Sequence, residues 1–200
     1  EIALRAAGTL IIADEVQPGF GRAGSHFWGH EKLGFRPDIV TMGKPMGNGH
    51  PVAGVATTPA IMAAFRDAFS YFNTFGGNPV SAAAALAVLD VIRDEGLQEN
   101  AARSSAHVLA RLQTLRHPLL TDVRANGLFF GAEFQQDGRP AGAFAGALVE
   151  SMVQSGFLMN VIGAGRNILK IRPPMPFGPD HADLLMDALE QALRDTPVPA

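Results

Sequence analysis

The chain has 200 residues, 47% of them hydrophobic, and a formal net charge of −3, so it can bury a core and has no basic excess suited to nucleic acid or anionic lipid. It contains no Cys, which excludes disulfides, thiolate catalysis and Cys-based metal sites. The His residues lack paired ligand spacing, and no apolar segment approaches the length of a membrane span. We therefore expect no metal, no nucleic-acid partner and no membrane partner.

The first hundred residues alternate between apolar runs and helical patterns, as is typical of an α/β protein. Apolar runs predict strands over residues 9–13, 38–42 and 52–57. The first run is continuous, which favours a strand buried on both faces, as in a parallel sheet. Helices are predicted over residues 27–33, 59–69 and 81–93, the last with Asn78 as its N-cap and Pro79 in its first turn.

The second hundred residues have a different pattern of apolar residues, which predicts a small α+β domain. We expect helices over residues 97–115, 144–154 and 180–193, and strands over 123–134, 157–160 and 168–171. The change in pattern places the domain boundary near residue 100, giving a large-domain part over 1–100 and a small domain over 101–200.

An acid and a lysine each follow a predicted buried strand. Asp14 follows the first strand, and Lys44 follows the second within the sequence Gly-Lys-Pro-Met-Gly-Asn-Gly of residues 43–49. A third segment, Thr-Phe-Gly-Gly-Asn-Pro over residues 74–79, opens a helix. Together they suit a cofactor bound through an amine, with an acid against a ring nitrogen and backbone amides against a phosphate. Pyridoxal 5′-phosphate has these three features.

Each of these residues also has a purely structural interpretation. An acid after an apolar run more often caps a turn, and a lysine is usually a solvated surface residue. Thr74, Gly76 and Gly77 taken alone indicate little more than a helix start. Lys32, the other lysine in the first hundred residues, falls in a predicted surface helix. For His50, a loop histidine satisfied by local hydrogen bonds is favoured over a cofactor contact.

Residues 11–22, Ile-Ile-Ala-Asp-Glu-Val-Gln-Pro-Gly-Phe-Gly-Arg, resemble the signature segment of the class III aminotransferases, which are pyridoxal phosphate enzymes of fold type I. Residues 37–44 resemble the lysine segment of that family, and residues 73–79 resemble its phosphate-contacting turn. The three motifs occur in order, and the resemblance covers essentially the whole chain. It implies the C-terminal half of a fold type I enzyme: part of the mainly parallel large domain, followed by a small α+β domain.

The resemblance also implies roles for individual residues. Lys44 would form the internal aldimine and then move the substrate proton. Asp14 would pair with the pyridinium nitrogen, and Gln17 would lie near the ring hydroxyl. Thr74 would reach the phosphate of the neighbouring subunit's cofactor, which implies a homodimer.

One segment departs from the common family pattern. Many members carry Arg three residues before a Pro-Pro pair and use it to bind the substrate carboxylate, whereas this chain has Lys170 there and Arg172 next to the prolines. Both would point to the same face of a strand and could hold a carboxylate or a phosphate. The purely structural alternative is that Lys170 and Arg172 form a solvated basic pair on an edge strand. The segment is most similar to the branch of alanine–glyoxylate aminotransferase-like proteins and phosphoethanolamine phospho-lyases.

Three functions remain open from the sequence. The first is an aminotransferase that moves an amino group between an amine or amino acid and a keto acid. The second is a phospho-lyase acting on a small phosphorylated amine, and the third is a truncated, non-catalytic fragment. We expect a cytoplasmic protein; the chain does not begin with Met, so it gives no test of a targeting signal.

Overall fold

A computed structural model of the chain describes residues 1–198. Backbone contacts divide it into two compact units, one ending at Gln98 and the other beginning at Glu99. Each unit is built around its own sheet. Within the described residues, no helix has the length and apolar character needed to cross a membrane.

The first unit alternates short strands and helices. Its elements in chain order are α1 (Ile2–Ala6), β1 (Ile12–Asp14), α2 (Gly29–Leu33), β2 (Ile39–Met42), β3 (Gly54–Thr57), α3 (Pro59–Ala68) and α4 (Pro79–Asp94). A single 3-10 turn, Lys44–Met46, lies between β2 and β3. The cap predicted for α4 is confirmed, because Asn78 Oδ1 accepts a hydrogen bond from Ser81 N at 2.9 Å and Pro79 occupies the first turn.

The sheet of this unit has the order β1-β2-β3, with β1 parallel and β3 antiparallel to the central strand. The first strand is shorter than predicted, and of its three residues only Ala13 is buried, whereas Ile12 is 59% exposed. The expectation of a strand buried on both faces is therefore wrong for this chain taken alone. Burial on both faces requires covering elements on each side of a parallel sheet, and β1 lies at the edge.

The second unit has more strands than predicted. Its elements are α5 (Leu97–Thr114), which begins two residues before the boundary, β4 (Leu120–Ala125), β5 (Phe130–Gln136), β6 (Arg139–Pro140), α6 (Gly142–Gln154), β7 (Asn160–Ile162), β8 (Ile168–Ile171) and α7 (Pro179–Asp195). The single strand predicted over residues 123–134 is two strands. Asn126 and Phe129 exchange backbone hydrogen bonds across the turn, and Gly127 there has φ of 57°.

The main sheet of the second unit has the order β4-β5-β8-β7 and is antiparallel throughout. Alternate residues of β5 and β8 face a core shared with the helices. Its largest fully buried side chains are Phe134, Phe144, Leu112, Leu128, Leu148, Met152, Leu169, Met186 and Leu189. The other face of the sheet carries the polar side chains, Lys170 among them.

Candidate active site

Asp14 and Lys44 leave the sheet of the first unit at the same edge. β1 and β2 are parallel, and Asp14 is paired in register with Thr41, three residues before Lys44. Adjacent strands lie about 4.8 Å apart, so both residues emerge where parallel sheets bind ligands, at the carboxyl ends of the strands. The backbone bond from Glu15 N to Thr41 O, at 2.9 Å, continues this pairing past Asp14.

The Asp14 side chain is exposed and makes one local hydrogen bond. Its Oδ1 accepts from Val16 N at 3.0 Å, so the turn-capping role considered from the sequence is present. That bond leaves the second carboxylate oxygen available to another donor. Capping and pairing with a ring nitrogen are therefore compatible at this residue. Gln17 is also exposed, in the turn that follows.

Glu15 points the other way and has a structural role. It is 1% exposed, and it accepts hydrogen bonds of 2.8 Å from the backbone N–H groups of Gly29 and His30 and from the His30 ring. These bonds place a carboxylate at the start of α2 and fix the chain directly after Asp14. The aromatic rings of Phe20, Phe27 and Trp28 pack in tilted or edge-on pairs beside this segment, at centroid distances of 4.8–5.7 Å.

Lys44 lies at the start of a tightly wound segment, residues 43–50, which we call the lysine loop. Its φ is 35°, in the left-handed region that a residue with a Cβ rarely adopts. The side chain is exposed, and among residues 1–198 its ammonium has no hydrogen-bond or ion-pair partner. An amine held on a strained backbone position and left without a partner is available to react with a ligand.

Thr74 lies in an exposed turn that leads into α4, but the amides of that turn are not all available. Asn73 Oδ1 accepts from Phe75 N at 3.1 Å and from Gly76 N at 3.0 Å. In this conformation the Gly76 N–H is therefore occupied by the carboxamide of Asn73. The Thr74 hydroxyl is exposed and can act as a donor in this turn.

The lysine loop and the Thr74 turn are joined through a histidine. His50 Nε2 lies 2.9 Å from Ser81 Oγ, in the first turn of α4. His50 therefore has a protein partner, as the structural interpretation expected, but that partner lies 31 residues away along the chain. Sequence reasoning also missed Asn73 and Ser81; the spacing Asn-Pro-Val-Ser of residues 78–81, an N-cap with a serine three positions on, is the signal that marks Ser81.

Lys170 and Arg172 belong to the second unit. β8 lies between β5 and β7, so the edge-strand alternative considered for this pair is wrong. Leu169 and Ile171 are buried, and the alternation puts half-buried Lys170 on the face of the sheet away from the core, between Gly131 and Asn160. Arg172 follows the strand and is exposed.

Lys170 differs from the neighbouring cation on that face. Arg124 extends over Gly131, where an added Cβ would lie 3.4 Å from its Cγ, and it pairs with Asp122 and, at 3.1 Å, with Glu133. Hydrogen bonds from Gln135 and Arg124 hold the pKa of Glu133 below its usual range, so this acid is ionised and already paired with Arg124. The Lys170 ammonium, in contrast, has no such partner within residues 1–198.

These residues supply the amine, carboxylate and hydroxyl groups that could hold pyridoxal phosphate. The first unit carries an amine without a partner and a carboxylate with one oxygen available at the same end of its parallel strands, and an exposed hydroxyl in the Thr74 turn. The second unit carries a separate cation. Within residues 1–198 there is no group of three His, Asp or Glu side chains suited to a metal ion.

Comparison with known proteins agrees with the motifs. Residues 3–193 match the family described as aminotransferase class-III, and the chain belongs to that family. It is 44% identical, over 96% of its length, to a Drosophila melanogaster protein named alanine–glyoxylate aminotransferase 2-like, of which it spans 40%. It is 42% identical, over 95% of its length, to ethanolamine-phosphate phospho-lyase homolog 1 of Caenorhabditis elegans, and it spans 42% of that protein.

A solved structure resembles the whole chain. A phospholyase from Arthrobacter, determined in complex with phosphoethanolamine, matches 98% of the chain with a TM-score of 0.94 and 44% identity. The chain covers 48% of that structure, so it spans about half the length of the proteins it resembles. The α/β fold class and the family predicted from the sequence are confirmed.

Proposed function

We propose that the protein containing this chain is a pyridoxal phosphate-dependent aminotransferase. The observation that carries the proposal is that Asp14 and Lys44 both follow the carboxyl ends of two parallel strands, with Asp14 in register with Thr41, three residues before Lys44. Family membership supports the same activity. Because the chain spans about half of its relatives, the activity is proposed for the whole protein and not for residues 1–200 alone.

The residues would hold the cofactor at three points. Bound pyridoxal phosphate supplies an aldehyde that combines with amines and a protonated ring that withdraws electrons from the substrate carbon. Lys44 would bind the aldehyde through its amine and, once released, carry the substrate proton. Asp14 would keep the ring nitrogen protonated, Gln17 would lie beside the ring hydroxyl, and Thr74 would donate to the phosphate of the cofactor bound in the neighbouring subunit.

We further propose that the working unit is a homodimer in which Thr74 serves the partner's cofactor. The turn that carries Thr74 is flanked by large exposed apolar side chains, with Phe69, Tyr71, Phe72 and Phe75 each 64% to 85% exposed. Clustered exposed aromatic residues of this kind are typical of surfaces that another polypeptide covers. We also propose that residues 1–100 contribute to the large domain and 101–200 form the small domain.

Lys170 and Arg172 are proposed to bind the anionic group of the substrate. A half-buried ammonium without a carboxylate partner, on the open face of a sheet, is suited to a carboxylate or a phosphate. The same observation favours a second function, elimination of phosphate from a small phosphorylated amine, since relatives in both branches are similar to this chain. The substrates and the cytoplasmic location remain predictions.

Labelling tests the proposal. The gene product is loaded with pyridoxal phosphate, reduced with borohydride and digested, and the modified peptide is mapped. We expect the label on Lys44, with Lys32 and Lys170 unmodified. A label on either of those residues contradicts the assignment, and a protein that takes up no cofactor at all supports the third function, a non-catalytic chain.

Kinetics then separate the two enzymatic functions. Transamination needs a keto acceptor and releases no phosphate, whereas elimination releases phosphate from phosphoethanolamine without any acceptor. The reaction that proceeds faster with the purified protein identifies the function.

A further inference from the structure

A chain of hydrogen bonds joins the lysine loop to the turn that carries Thr74. His50 Nε2 lies 2.9 Å from Ser81 Oγ, and that oxygen accepts a bond from Asn78 Nδ2 at 3.0 Å. Asn78 Nδ2 also donates to the carbonyl oxygen of Phe75 at 2.8 Å, one residue after Thr74. The connection therefore runs from the loop after Lys44 to the neighbour of Thr74 without interruption.

The side-chain amide of Asn78 is fully engaged as a donor. The two protons of Asn78 Nδ2 go to Phe75 O and Ser81 Oγ, and Asn78 Oδ1 accepts from Ser81 N. Ser81 is 9% exposed, the one buried residue of α4. Without His50, water could not easily replace the lost hydrogen bond at the buried Ser81 hydroxyl. Breaking the His50–Ser81 bond is therefore costly.

The lysine loop depends on such an external attachment. Its own backbone bonds are short-range, from Met46 N to Gly43 O and from His50 N to Gly47 O, and they hold the loop's shape without fixing its position. Lys44 at φ 35° occupies a sparsely populated conformation that persists only when its surroundings constrain it. The His50–Ser81 bond attaches the loop to a helix outside it.

We propose that His50 is a positioning residue: it holds the lysine loop against α4 and so sets the placement of Lys44 relative to Thr74. This inference rests on the proposed function, in which Lys44 binds its own subunit's cofactor and Thr74 of the same chain serves the partner's, so the bond couples the two cofactor sites. His50 acts through the loop backbone and through Ser81, and it makes no contact with reacting atoms. Its removal should alter cofactor affinity and turnover more than it alters folding.

Three variants of the gene product test the proposal. His50→Phe keeps a ring but removes the hydrogen bond, Ser81→Ala removes the other partner, and His50→Gln offers a side-chain amide where Nε2 stood. We measure the dissociation constant for pyridoxal phosphate, kcat and KM, the melting temperature, and hydrogen exchange of backbone amides in residues 43–50 and 74–81.

We expect His50→Phe and Ser81→Ala each to lower kcat about tenfold, to weaken cofactor binding to a similar extent and to speed hydrogen exchange in both segments. The double variant should be no worse than either single one, because both remove the same bond. His50→Gln should recover much of the loss. A merely structural histidine would lower the melting temperature without a separate effect on kcat.

The outcomes distinguish this inference from the function on which it rests. If borohydride labels Lys44 in the unsubstituted protein but His50→Phe and Ser81→Ala match it in cofactor affinity, kcat and exchange, the positioning role is overturned and the proposed function stands. If Lys44 is not labelled in the unsubstituted protein, both are overturned. If His50→Phe does not fold, Ser81→Ala and His50→Gln decide the question by the same measurements.

Discussion

The carbonyl oxygen of His50 lies 2.1 Å from the position that a Cβ atom would take at Gly47. The backbone of the lysine loop therefore closes on residue 47, and no side chain fits there without moving the chain. Gly43, at the start of the loop, has only ordinary contacts of 3.7 Å or more around the same added atom. The two glycines thus provide a matched pair for testing the loop.

Gly47→Ala should displace the lysine loop and disable Lys44, because the contact is with backbone, which cannot rotate away. We expect cofactor affinity and kcat each to fall at least about tenfold, since small misplacements of a reacting group have large effects on rate. Gly43→Ala should leave the melting temperature close to that of the unsubstituted protein. Gly47→Ala should melt at a lower temperature than Gly43→Ala. Equal melting temperatures for the two variants would contradict the close approach at Gly47.

Asp14→Asn separates the two roles of Asp14. The Asn carbonyl oxygen can still accept from Val16 N, so the turn cap is kept while the negative charge is lost. If the charge keeps the cofactor's ring nitrogen protonated, turnover should fall by orders of magnitude. Lys44 should still be labelled by borohydride. Near-normal turnover would show that Asp14 acts only as a cap.

Local sequence signals predicted most of the elements that carry the site. The strand Ile168–Ile171 matches its prediction residue for residue, and α4 begins at the predicted Asn-Pro cap. Both depend on neighbours in the sequence, namely alternation of apolar residues in the strand and side-chain capping in the helix. The Asn-Gly pair at 126–127 was an equally local signal for the turn between β4 and β5.

Relations between distant residues could not be obtained in this way. Sheet order decides that β8 is interior and not an edge, and no pattern within residues 168–171 reports its neighbours. The partner of His50 is likewise fixed by how α4 packs on the lysine loop. Asn73 shows that this also holds within a short motif. The sequence of residues 73–79 suggests backbone N–H groups available to a ligand, but it does not show that the Asn73 side chain already accepts hydrogen bonds from Phe75 N and Gly76 N.

Subunit mixing tests the assignment of Thr74 to the partner's cofactor. Lys44→Ala and Thr74→Ala subunits, each impaired alone, are combined under conditions where exchange is demonstrated. If Thr74 crosses between subunits, one site of each mixed dimer has both defects and the other has neither, so activity should partly return. Absence of recovery despite proven exchange would place Thr74 in the site of its own subunit.

His117 should make the second unit sensitive to mild acid. Its ring stacks on Phe144 at 4.7 Å, its Nδ1 accepts from Leu119 N, and burial lowers its pKa below the usual value. The unfolded chain therefore binds a proton more readily than the folded one. The contribution of neutral His117 to stability should be complete above about pH 6.5 and decline as the pH falls through its lowered pKa.

His117→Asn provides the comparison for that effect. Asn offers an oxygen to the Leu119 N–H and does not titrate, so this variant should be less stable at pH 8 through loss of the ring stack. Urea denaturation from pH 8 to pH 5 should show the difference between the two proteins shrinking as the pH falls. A constant difference would show that His117 does not titrate with unfolding.

The last prediction concerns the substrate. With Lys170 and Arg172 in place of an Arg three residues before Pro173, we expect weak activity on 4-aminobutyrate and ornithine. Activity should be better with alanine and glyoxylate or with small phosphorylated amines. Lys170→Arg should move the preference toward carboxylate substrates, because a guanidinium binds a carboxylate through two parallel hydrogen bonds and an ammonium acts as a point charge.

The matched control for this substitution is Arg124→Lys, on the same face of the sheet. Arg124 is already paired with Asp122 and Glu133, so its replacement should affect stability and leave the ratio of kcat/KM between carboxylate and phosphate substrates unchanged. Lys170→Arg should change that ratio by about tenfold, the effect of one additional charged hydrogen bond. If the unsubstituted enzyme already prefers 4-aminobutyrate and Lys170→Arg changes nothing, Lys170 is surface charge and the substrate's anionic group is bound by other residues.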